Sequence, residues 1–293
     1  MSAWKWPGGV RCAVFLSVNF DAESLDLLGT SEKRLFGRFS YGRYGIRAGF
    51  PRLVGLLREL DVRTTVFVPA SDALRHESVV RHLVDEGHEI AGRGMAMETL
   101  ASLGDTELDT LRQSRDVLDR LCGTPPVGFR APANTLSVRT LGHLADLGFR
   151  YDASFQDDDY PYRFDLGRGR TLVEIPQCFA LDDAPAYSGR HSHRRLMQTW
   201  RDEFEAMLDA GTMCALTIHL RGDLGSTRAA RIEALREFLS SVKARPGVRF
   251  MQGRALAAHA EHLALPPEPD PAAAHLSTLA VTPYRGDLAV KPV

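Results

Sequence analysis

Two stretches of the sequence carry polar residues at a spacing that could support hydrolytic chemistry. The first is SVNFDAES, in which Asn19, Asp21 and Glu23 alternate directly after an apolar run. The second is GHEIAGRGMAMETL, which holds Arg93 and, four positions later, Met97. Carboxylates accept protons or bind cations, and a guanidinium binds carboxylates and oxyanions. We therefore expect acid–base and electrostatic groups to form the active site.

Four more polar residues are candidates for the same site. His219 ends the apolar run CALTIH, and its near-neutral pKa suits proton transfer, although a lone histidine is often structural. Arg130 in GFRAP is expected to orient a carboxylate or bind an anionic group. Asp152 and Asp158 in YDASFQDDDYPY are expected to contact substrate. A calcium loop is excluded there, because the acids lack the spacing around a central glycine that such loops need.

Strand-like and helix-like segments alternate along the chain, and these elements must position the candidates. We predict strands in CAVFLSVNF, VRTTVFVPA, HEIAG, VGFRAP, LVEIP, CALTIH and VRFM, and helices in FPRLVGLLREL, SVVRHLVDEG, DTELDTLRQSRDVLDRLCG, SVRTLGHLADLG, 193–210 and 228–243. This alternation predicts an α/β fold with a parallel sheet or barrel. In such folds the active site gathers where the strands end, and the candidates stand at predicted strand ends.

Residues near the predicted helix ends suggest where those helices begin and stop. Asp105 or Thr106, and Ser137, are expected N-caps, because their side-chain oxygens can accept from free backbone N–H groups. Gly123 and Gly148 are expected just past helix C-termini, where glycine adopts the left-handed conformation at little cost.

Bulk composition excludes several classes of protein. The formal net charge is −1 over 293 residues without a long basic run, which argues against a nucleic-acid binder. The apolar runs are strand-sized, far below the roughly 20 residues of a membrane span. The N-terminus lacks a signal-peptide core, so we expect a cytoplasmic protein. Cysteines at 12, 122, 178 and 214 form no CxxC pair and are expected to be reduced thiols.

The composition changes near residue 263, where the chain becomes rich in proline and alanine. We predict one domain over residues 1–262 and an extension over residues 263–293. The extension is expected to cross the surface or to reach a neighbouring subunit, with disorder as the alternative.

Ordered motifs over roughly residues 10–260 give the chain a family resemblance. They are SVNFDAES, YGIRAGFPRLVGLL, TTVFVPA, GHEIAGRG, GFRAPANTLS, GFRYDASFQDDDYPYRF, LVEIPQCFALDDAP and LTIH. The chain resembles the polysaccharide deacetylase family, also called NodB-homology or carbohydrate esterase 4. It is most similar to the cytoplasmic branch with peptidoglycan-deacetylase-like proteins and hydrolases of cyclic imides and ureides. The resemblance implies a distorted (β/α) barrel with a C-terminal tail.

The resemblance also implies a degenerate metal site. The family uses an Asp-x-Asp pair, the first as base and the second as metal ligand, and this chain has Asn19 and Asp21 there. Two family histidines, also ligands, correspond to Arg93 and Met97. Neither a guanidinium nor a thioether replaces a histidine on a zinc-type ion. We therefore expect no metal and no other cofactor, and we expect Arg93 to form an ion pair with Asp21.

Three functions remain open at this point. The first is a metal-independent enzyme acting on an amide, imide or ureide C–N bond of a small molecule. There His219 would be the acid or base, Asp21 or Glu23 its carboxylate partner, and Arg93 and Arg130 would stabilise an oxyanion. The second is a catalytically inactive protein that binds a ligand or acts as a scaffold. The third is a conventional metal-dependent deacetylase. We expect a small-molecule substrate, no nucleic-acid or membrane partner, and a homo-oligomer.

Overall fold

A central apolar strand organises the fold. The computed structural model of the protein describes residues 4–28, 37, 40–273 and 275. Strand β1 (Cys12–Asn19) is buried along its whole length. Val14 and Leu16 pack in the cluster shared with the outer helices, whereas Ala13 and Phe15 pack in a second cluster on the other face. This alternation follows from the two-residue period of a strand, and burial on both faces is typical of parallel sheets.

The other strands of the described ranges lie beside β1 in one sheet. They are β2 (Thr65–Val68), β3 (Glu89–Gly92), β4 (Gly128–Phe129), β5 (Tyr151–Asp152), β6 (Tyr162–Asp165), β7 (Thr171–Glu174), β8 (Cys214–His219), β9 (Val248–Phe250) and β10 (Glu268–Pro269). The order is β10-β6-β7-β5-β4-β3-β2-β1-β8, and β9 also pairs with β1. Only β6 and β7 pair antiparallel among these strands; the other pairs are parallel. The predicted α/β fold is confirmed.

The sheet curls so that its two ends approach each other. Val173 of β7 and Ala215 of β8 belong to the same hydrophobic cluster, although no ladder joins these strands in the described part of the chain. A single bridge between Asp182 and Thr217 spans this gap, which we call the seam. The molecule is therefore a distorted barrel that is open at the seam between β7 and β8.

Helices cover the outer face of the sheet. In the described ranges they are α1 (Glu23–Leu27), α2 (Tyr41–Tyr44), α3 (Phe50–Glu59), α4 (Ala70–Arg75), α5 (Glu77–Asp85), α6 (Glu107–Cys122), α7 (Thr140–Asp146), α8 (Asp183–Ser188), α9 (His193–Ala210), α10 (Ala229–Lys243) and α11 (Gly253–Leu263), with a π-helical turn at Gly45–Gly49 before α3. The predicted face of α3 is buried at Leu53, Val54 and Leu57. None of the helices in these ranges has both the length and the apolarity that a membrane crossing requires.

Helix ends agree with the sequence at the glycines and differ in part at the N-caps. Gly123 and Gly148 have φ of +74° and +81°, as predicted. Thr106 precedes α6, but its side chain accepts no capping hydrogen bond. The α7 helix begins at Thr140 rather than directly after Ser137. The Ser137 hydroxyl nevertheless accepts the Arg139 backbone N–H at 3.0 Å, as a cap would, and it also donates to a Glu107 carboxylate oxygen at 2.6 Å.

The start of the predicted C-terminal extension is part of this sheet. After α11 ends, Glu268 and Pro269 pair with β6, and the Arg163 side chain donates to the Leu265 carbonyl at 2.6 Å. Residues 276–293 lie outside the described residues. The domain boundary after residue 262, contact with a neighbouring subunit and homo-oligomerisation stay predictions.

Candidate active site

The carboxyl ends of β1 and β8 bring two predicted site residues together. Asn19 and His219 are register partners in this parallel pair, and both side chains are buried. Asn19 Nδ2 lies 2.9 Å from His219 Nε2. Because Arg130 Nη1 donates to Asn19 Oδ1 at 3.1 Å, the amide must present its NH₂ group to the histidine. His219 Nε2 therefore accepts this hydrogen bond.

The other ring nitrogen of His219 contacts a carboxylate. Nδ1 lies 2.7 Å from Asp183 Oδ1, and the His219 backbone N–H donates to Asp183 Oδ2 at 3.2 Å. With Nε2 accepting from Asn19, Nδ1 carries the proton and donates it to Asp183. Gly225 also contacts this strand end, where a Cβ would lie 2.0 Å from the His219 carbonyl oxygen. Only glycine fits at position 225.

Burial, three carboxylates and Asn19 all affect the protonation of His219. Burial lowers its pKa, but the carboxylates of Asp183, Asp182 and Asp21 outweigh burial and raise the pKa above its usual value. Asn19 acts in the opposite direction, because its N–H donates to Nε2 and thereby favours the neutral ring. Burial also raises the pKa of the Asp183 carboxyl. The imidazole is therefore held between a group that favours its charge and one that opposes it.

The predicted pair of Arg93 with Asp21 is present. Arg93 Nε lies 2.5 Å from Asp21 Oδ1, Nη2 lies 3.0 Å from Oδ2, and both side chains are buried. Burial alone would raise the pKa of Asp21, but the Arg93 charge holds it below the ordinary aspartate value. Asp21 has φ of +30° and Met97 has φ of +64°, so both loops are strained. Met97 is buried in the loop after β3.

The residues at the family's metal positions do not fit a divalent cation. Both carboxylate oxygens of Asp21 accept from Arg93, and a guanidinium beside a cation would repel it. Asp182, Asp183 and His219 also offer ligand atoms within 4.8 Å of one another. However, Asp183 hydrogen-bonds to His219, and Asp182 Oδ1 accepts the N–H of Ala184 as the cap of α8. We assign no metal to that group.

Arg130 occupies the barrel interior, and within the described part of the chain it forms no hydrogen bond to a carboxylate. Its guanidinium carbon lies 4.0 Å from the centroid of the Phe67 ring, and Nε donates to the Ala153 carbonyl at 2.9 Å. Nη1 donates to Ser17 and Asn19, whereas Nη2 has no hydrogen-bond partner in the described ranges. Burial, and then the charge of Arg93, lower the pKa of Arg130 to about 9. Within the structure its role is to orient the Asn19 amide rather than a carboxylate.

The structure does not bring Glu23 to His219. The Glu23 carboxylate lies 2.6 Å from His76 Nε2 at the start of α1. Asp72, which is fully buried, accepts the backbone N–H groups of Ala22 and Ser24 at 3.0 Å each and so fixes this loop. The role of Glu23 as a substitute base stays a prediction without a contact to support it.

Asp152 is placed below the mouth of the barrel rather than in it. Its side chain is fully buried and accepts the Ser154 hydroxyl at 2.8 Å, while the same hydroxyl accepts the Ala131 N–H at 2.9 Å. The Ala131 carbonyl in turn lies 3.4 Å from Arg93 Nη1. Burial raises the pKa of Asp152 to about 6, next to Glu174 on the neighbouring strand. Ser154 and Ala131 thus link Asp152 to Arg93, and its predicted contact with a substrate stays a prediction.

Asp158 lies in another part of the molecule. It lines a cavity at the seam, together with Met213, which precedes β8, and Ala215 near the beginning of that strand. His219 is four residues further along that strand, which corresponds to roughly 13 Å. We call Asn19, Asp21, Arg93, Asp183 and His219 the mouth site, and Asp158 does not belong to it.

Sequence reasoning did not single out Asp183, although it stands in the LDDAP segment that carries part of the family resemblance. It also missed Arg221, whose Nη1 donates to the carbonyls of Asp21 and Ala22 at 3.4 and 3.2 Å. In sequence both look like ordinary polar loop residues. Their burial, at 0% and 4% exposure, is what shows their role.

Comparison with known proteins now assigns the family. The sequence profile of the polysaccharide deacetylase domain matches residues 29–151. A Mycobacterium smegmatis protein assigned as a polysaccharide deacetylase is 35% identical with a TM-score of 0.82, over 97% of this chain and 98% of that one. The chain therefore belongs to the polysaccharide deacetylase family.

Two further relatives illustrate the range of similar proteins. A peptidoglycan deacetylase from Helicobacter pylori is 26% identical over 245 residues, which is 72% of this chain and 83% of that protein. The crystal structure of an allantoinase is 24% identical with a TM-score of 0.78, over 87% of this chain and 91% of that chain. At that identity the allantoinase shows a shared fold. The predicted distorted barrel of the NodB-homology type is confirmed.

Proposed function

We propose that this protein is a metal-independent hydrolase of a C–N bond, in an amide, imide or ureide of a small molecule. The observation that carries the proposal is the buried pair of Asp183 and His219, with 2.7 Å between Oδ1 and Nδ1. His219 Nε2 also lies 3.8 Å from the Asp21 carboxylate to which Arg93 donates. A histidine oriented by a carboxylate on one nitrogen can take and return a proton with the other.

The proposed reaction begins at the hydrogen bond between the Asn19 N–H and His219 Nε2. A substrate carbonyl that accepts the Asn19 N–H releases the lone pair of His219 Nε2. A water then attacks the carbonyl carbon and gives its proton to Nε2, while Asp183 stabilises the imidazolium. The tetrahedral intermediate collapses, the C–N bond breaks, and the proton on Nε2 passes to the leaving nitrogen. His219 ends in its starting state.

Arg93 supplies a fixed positive charge beside the developing oxyanion. A guanidinium has five N–H donors, and those of Arg93 go to both oxygens of Asp21 and to the Ala131 carbonyl. Two N–H groups stay available for the oxyanion. Since Asp21 and the Ala131 loop hold the guanidinium in place, little reorganisation is needed during the reaction.

The names of two similar proteins support this class of substrate. The Helicobacter pylori relative is a peptidoglycan deacetylase, which acts on an amide, and the allantoinase acts on a small cyclic ureide. Both activities are hydrolyses of a bond between a carbonyl carbon and nitrogen. The mouth site contains a proton-transfer group and an oxyanion-stabilising group for such a reaction without an ion on Asp21.

The test is turnover of a substrate panel after treatment with a chelator. The panel contains N-acetylglucosamine oligomers, allantoin, hydantoin and succinimide. We expect turnover of at least one compound that the chelator does not change and that falls about 10²- to 10⁴-fold in His219→Gln. His143→Gln, on α7, is the matched control and should keep full activity. Turnover that appears only after a divalent metal is added would overturn the proposal.

A second candidate function is a catalytically inactive ligand-binding protein. It is favoured by the contact at 2.9 Å in which Asn19 occupies the Nε2 lone pair, while an amide at position 19 cannot accept a proton. If no compound of the panel is hydrolysed but one of them binds and loses affinity in Arg93→Ala, this second function replaces the first.

A further inference from the structure

The backbone of Asp21 is held in a conformation that residues other than glycine seldom adopt. Its φ of +30° lies in the left-handed region, and its side chain is buried in the mouth site. Such a backbone persists only where the surrounding structure fixes it. On the side of β2, Asp72 fixes the residues that follow, because it accepts the N–H groups of Ala22 and Ser24. The Asp21 carbonyl itself is contacted from the side of β8.

Arg221 makes that contact. It follows His219 by two residues and is only 4% exposed. Its Nη1 donates to the Asp21 and Ala22 carbonyls at 3.4 and 3.2 Å. His219 Nε2 in turn lies 3.8 Å from Asp21 Oδ2. The segment after β8 therefore carries the proton-transfer group and also fixes the backbone of the carboxylate that faces it.

Two carboxylates fix the guanidinium of Arg221 itself. Asp223 accepts from Nε at 3.1 Å and from Nη2 at 3.0 Å, while Asp26 Oδ1 accepts from Nη2 at 2.6 Å. The other oxygen of Asp26 accepts the Gly42 N–H at 2.9 Å, which joins α1 to α2. A planar group with five N–H donors satisfies carbonyls and carboxylates in these separate directions, and a lysine ammonium does not. The geometry around position 221 therefore requires an arginine.

Another arginine of the same segment offers a matched comparison. Arg231 Nη1 donates to the Asp223 and Gly225 carbonyls at 2.9 Å each, and its guanidinium carbon lies 3.7 Å from the centroid of the Tyr187 ring. In the part of the chain that the structure describes, Arg231 forms no hydrogen bond to the loop after β1. It stabilises the loop after β8 without fixing Asp21.

We propose that Arg221 is a positioning residue of the mouth site, which holds Asp21 so that its carboxylate faces both Arg93 and His219. In its absence the strained backbone relaxes, and the two hydrogen bonds from Arg93 to Asp21 are no longer held together. The guanidinium of Arg93 then loses the orientation that stabilises an oxyanion. This last step rests on the proposed function, whereas the geometry of Asp21 and Arg93 is measurable without a substrate.

The first experiment measures that geometry by NMR in the full-length protein. The Arg93 Nε–H is buried and donates to Asp21, so its proton should exchange slowly with water, and Arg93→Lys identifies its signal. We expect Arg221→Gln and Arg221→Lys to raise its exchange rate about tenfold or more, and Arg231→Gln to leave the rate unchanged. An unchanged rate in a folded Arg221 variant would overturn the proposal.

A milder variant keeps the test decisive if replacement of Arg221 prevents folding. Asp223→Asn removes the charge of a partner whose side chain is 29% exposed, and it leaves Arg221 in place. Because the guanidinium is then less firmly anchored, the Arg93 Nε–H should exchange about two- to fivefold faster. If neither Arg221 variant folds and Asp223→Asn leaves the exchange rate unchanged, the proposal is wrong.

Turnover separates this proposal from the proposed function. On a compound that the parent hydrolyses, Arg221→Lys should lower kcat about 10- to 100-fold with KM nearly unchanged, because the lost orientation acts in the transition state. Loss of the Arg93 signal with unchanged kcat would support the positioning role and contradict the part of Arg93 in the reaction. A lower kcat with an unchanged Arg93 signal would contradict the positioning role and leave the proposed function intact.

Discussion

The mouth site and the seam cavity treat charge in opposite ways. At the mouth, Asp21 and Arg93 neutralise each other out of water, and both nitrogens of His219 are hydrogen-bonded to protein groups. At the seam, three neighbouring aspartates have no cationic partner in the lining. A charge that is paired out of water holds the geometry of its site and can act on a bound molecule only through its remaining N–H donors, whereas exposed carboxylates without a cationic partner are compensated by solvent. The type of residue alone therefore does not separate a scaffold from a binding surface.

The sharpest test of this contrast is Arg93→Ala. It leaves the Asp21 carboxylate buried without a partner, and we expect the free energy of unfolding to fall by about 3–5 kcal/mol. The exposed pair of Arg139 and Asp105 is the control, for which Arg139→Ala should cost less than about 1 kcal/mol. Urea denaturation at neutral pH measures both losses. Equal losses would mean that the buried pair at the mouth contributes no more to the free energy of unfolding than an exposed ion pair.

A triple variant, Asn19→Asp with Arg93→His and Met97→His, converts the mouth from an internal ion pair to the family's ligand set. The apoprotein should be less stable than the parent, because Asp21 loses its guanidinium partner. Zinc at a hundred times its Kd should restore about 2.7 kcal/mol, and the parent should gain nothing. Thermal denaturation with and without zinc measures this response. A parent that zinc stabilises equally would contradict the assignment, and unchanged native activity in the triple variant would exclude the mouth as the active site.

Stability as a function of pH tests the opposing effects of the neighbouring carboxylates and of Asn19 on the pKa of His219. The pKa of His219 is higher in the folded than in the unfolded protein. The stability that the protonated ring contributes is therefore complete below the unfolded pKa of about 6.5 and is lost as the pH rises through the folded pKa. His219→Gln should remove this loss. Asn19→Asp removes the amide that favours the neutral ring, so the loss should move to higher pH. An NMR titration of the His219 ring, together with denaturation between pH 5 and 9, measures the shift.

The smallest effect is expected at the seam. Among the residues that the structure describes, no cation pairs with the exposed Asp159 carboxylate, so Asp159→Asn should change the free energy of unfolding by no more than about 0.5 kcal/mol. The same denaturation measurements apply as for Arg93→Ala. A large loss would show that this aspartate belongs to the scaffold, and the two regions would no longer differ.

The sequence was informative where an apolar run was long or where a charged residue implied a partner of opposite charge. The β1 and β8 strands follow from their apolar runs, and the pair of Asp21 with Arg93 follows from a guanidinium at a position where a cation was expected. The β5, β6 and β10 strands were not predicted, because these segments of two to four residues contain no run of apolar residues.

Burial decided what the sequence could not. Asp183 and Asp158 both stand in acidic segments, yet Asp183 is fully buried against His219 and Asp158 lines the seam cavity. Sequence spacing cannot distinguish them, because their surroundings are formed by strands more than 30 residues away. The burial of Asp152 was not predicted for the same reason: a strand end predicts nearness to the mouth but not the depth of the side chain.

The pairing of β1 with β8 also has a consequence for how the protein is made. Asn19 and His219 are neighbours in space but are separated by 200 residues along the chain. Contacts between such distant segments raise the contact order and slow folding. During synthesis β1 can pair early with β2, but its other edge must wait until β8 has left the ribosome. The mouth site is therefore among the last parts of the molecule to assemble, and the unpaired edge of β1 is the part of the nascent chain most in need of protection from aggregation.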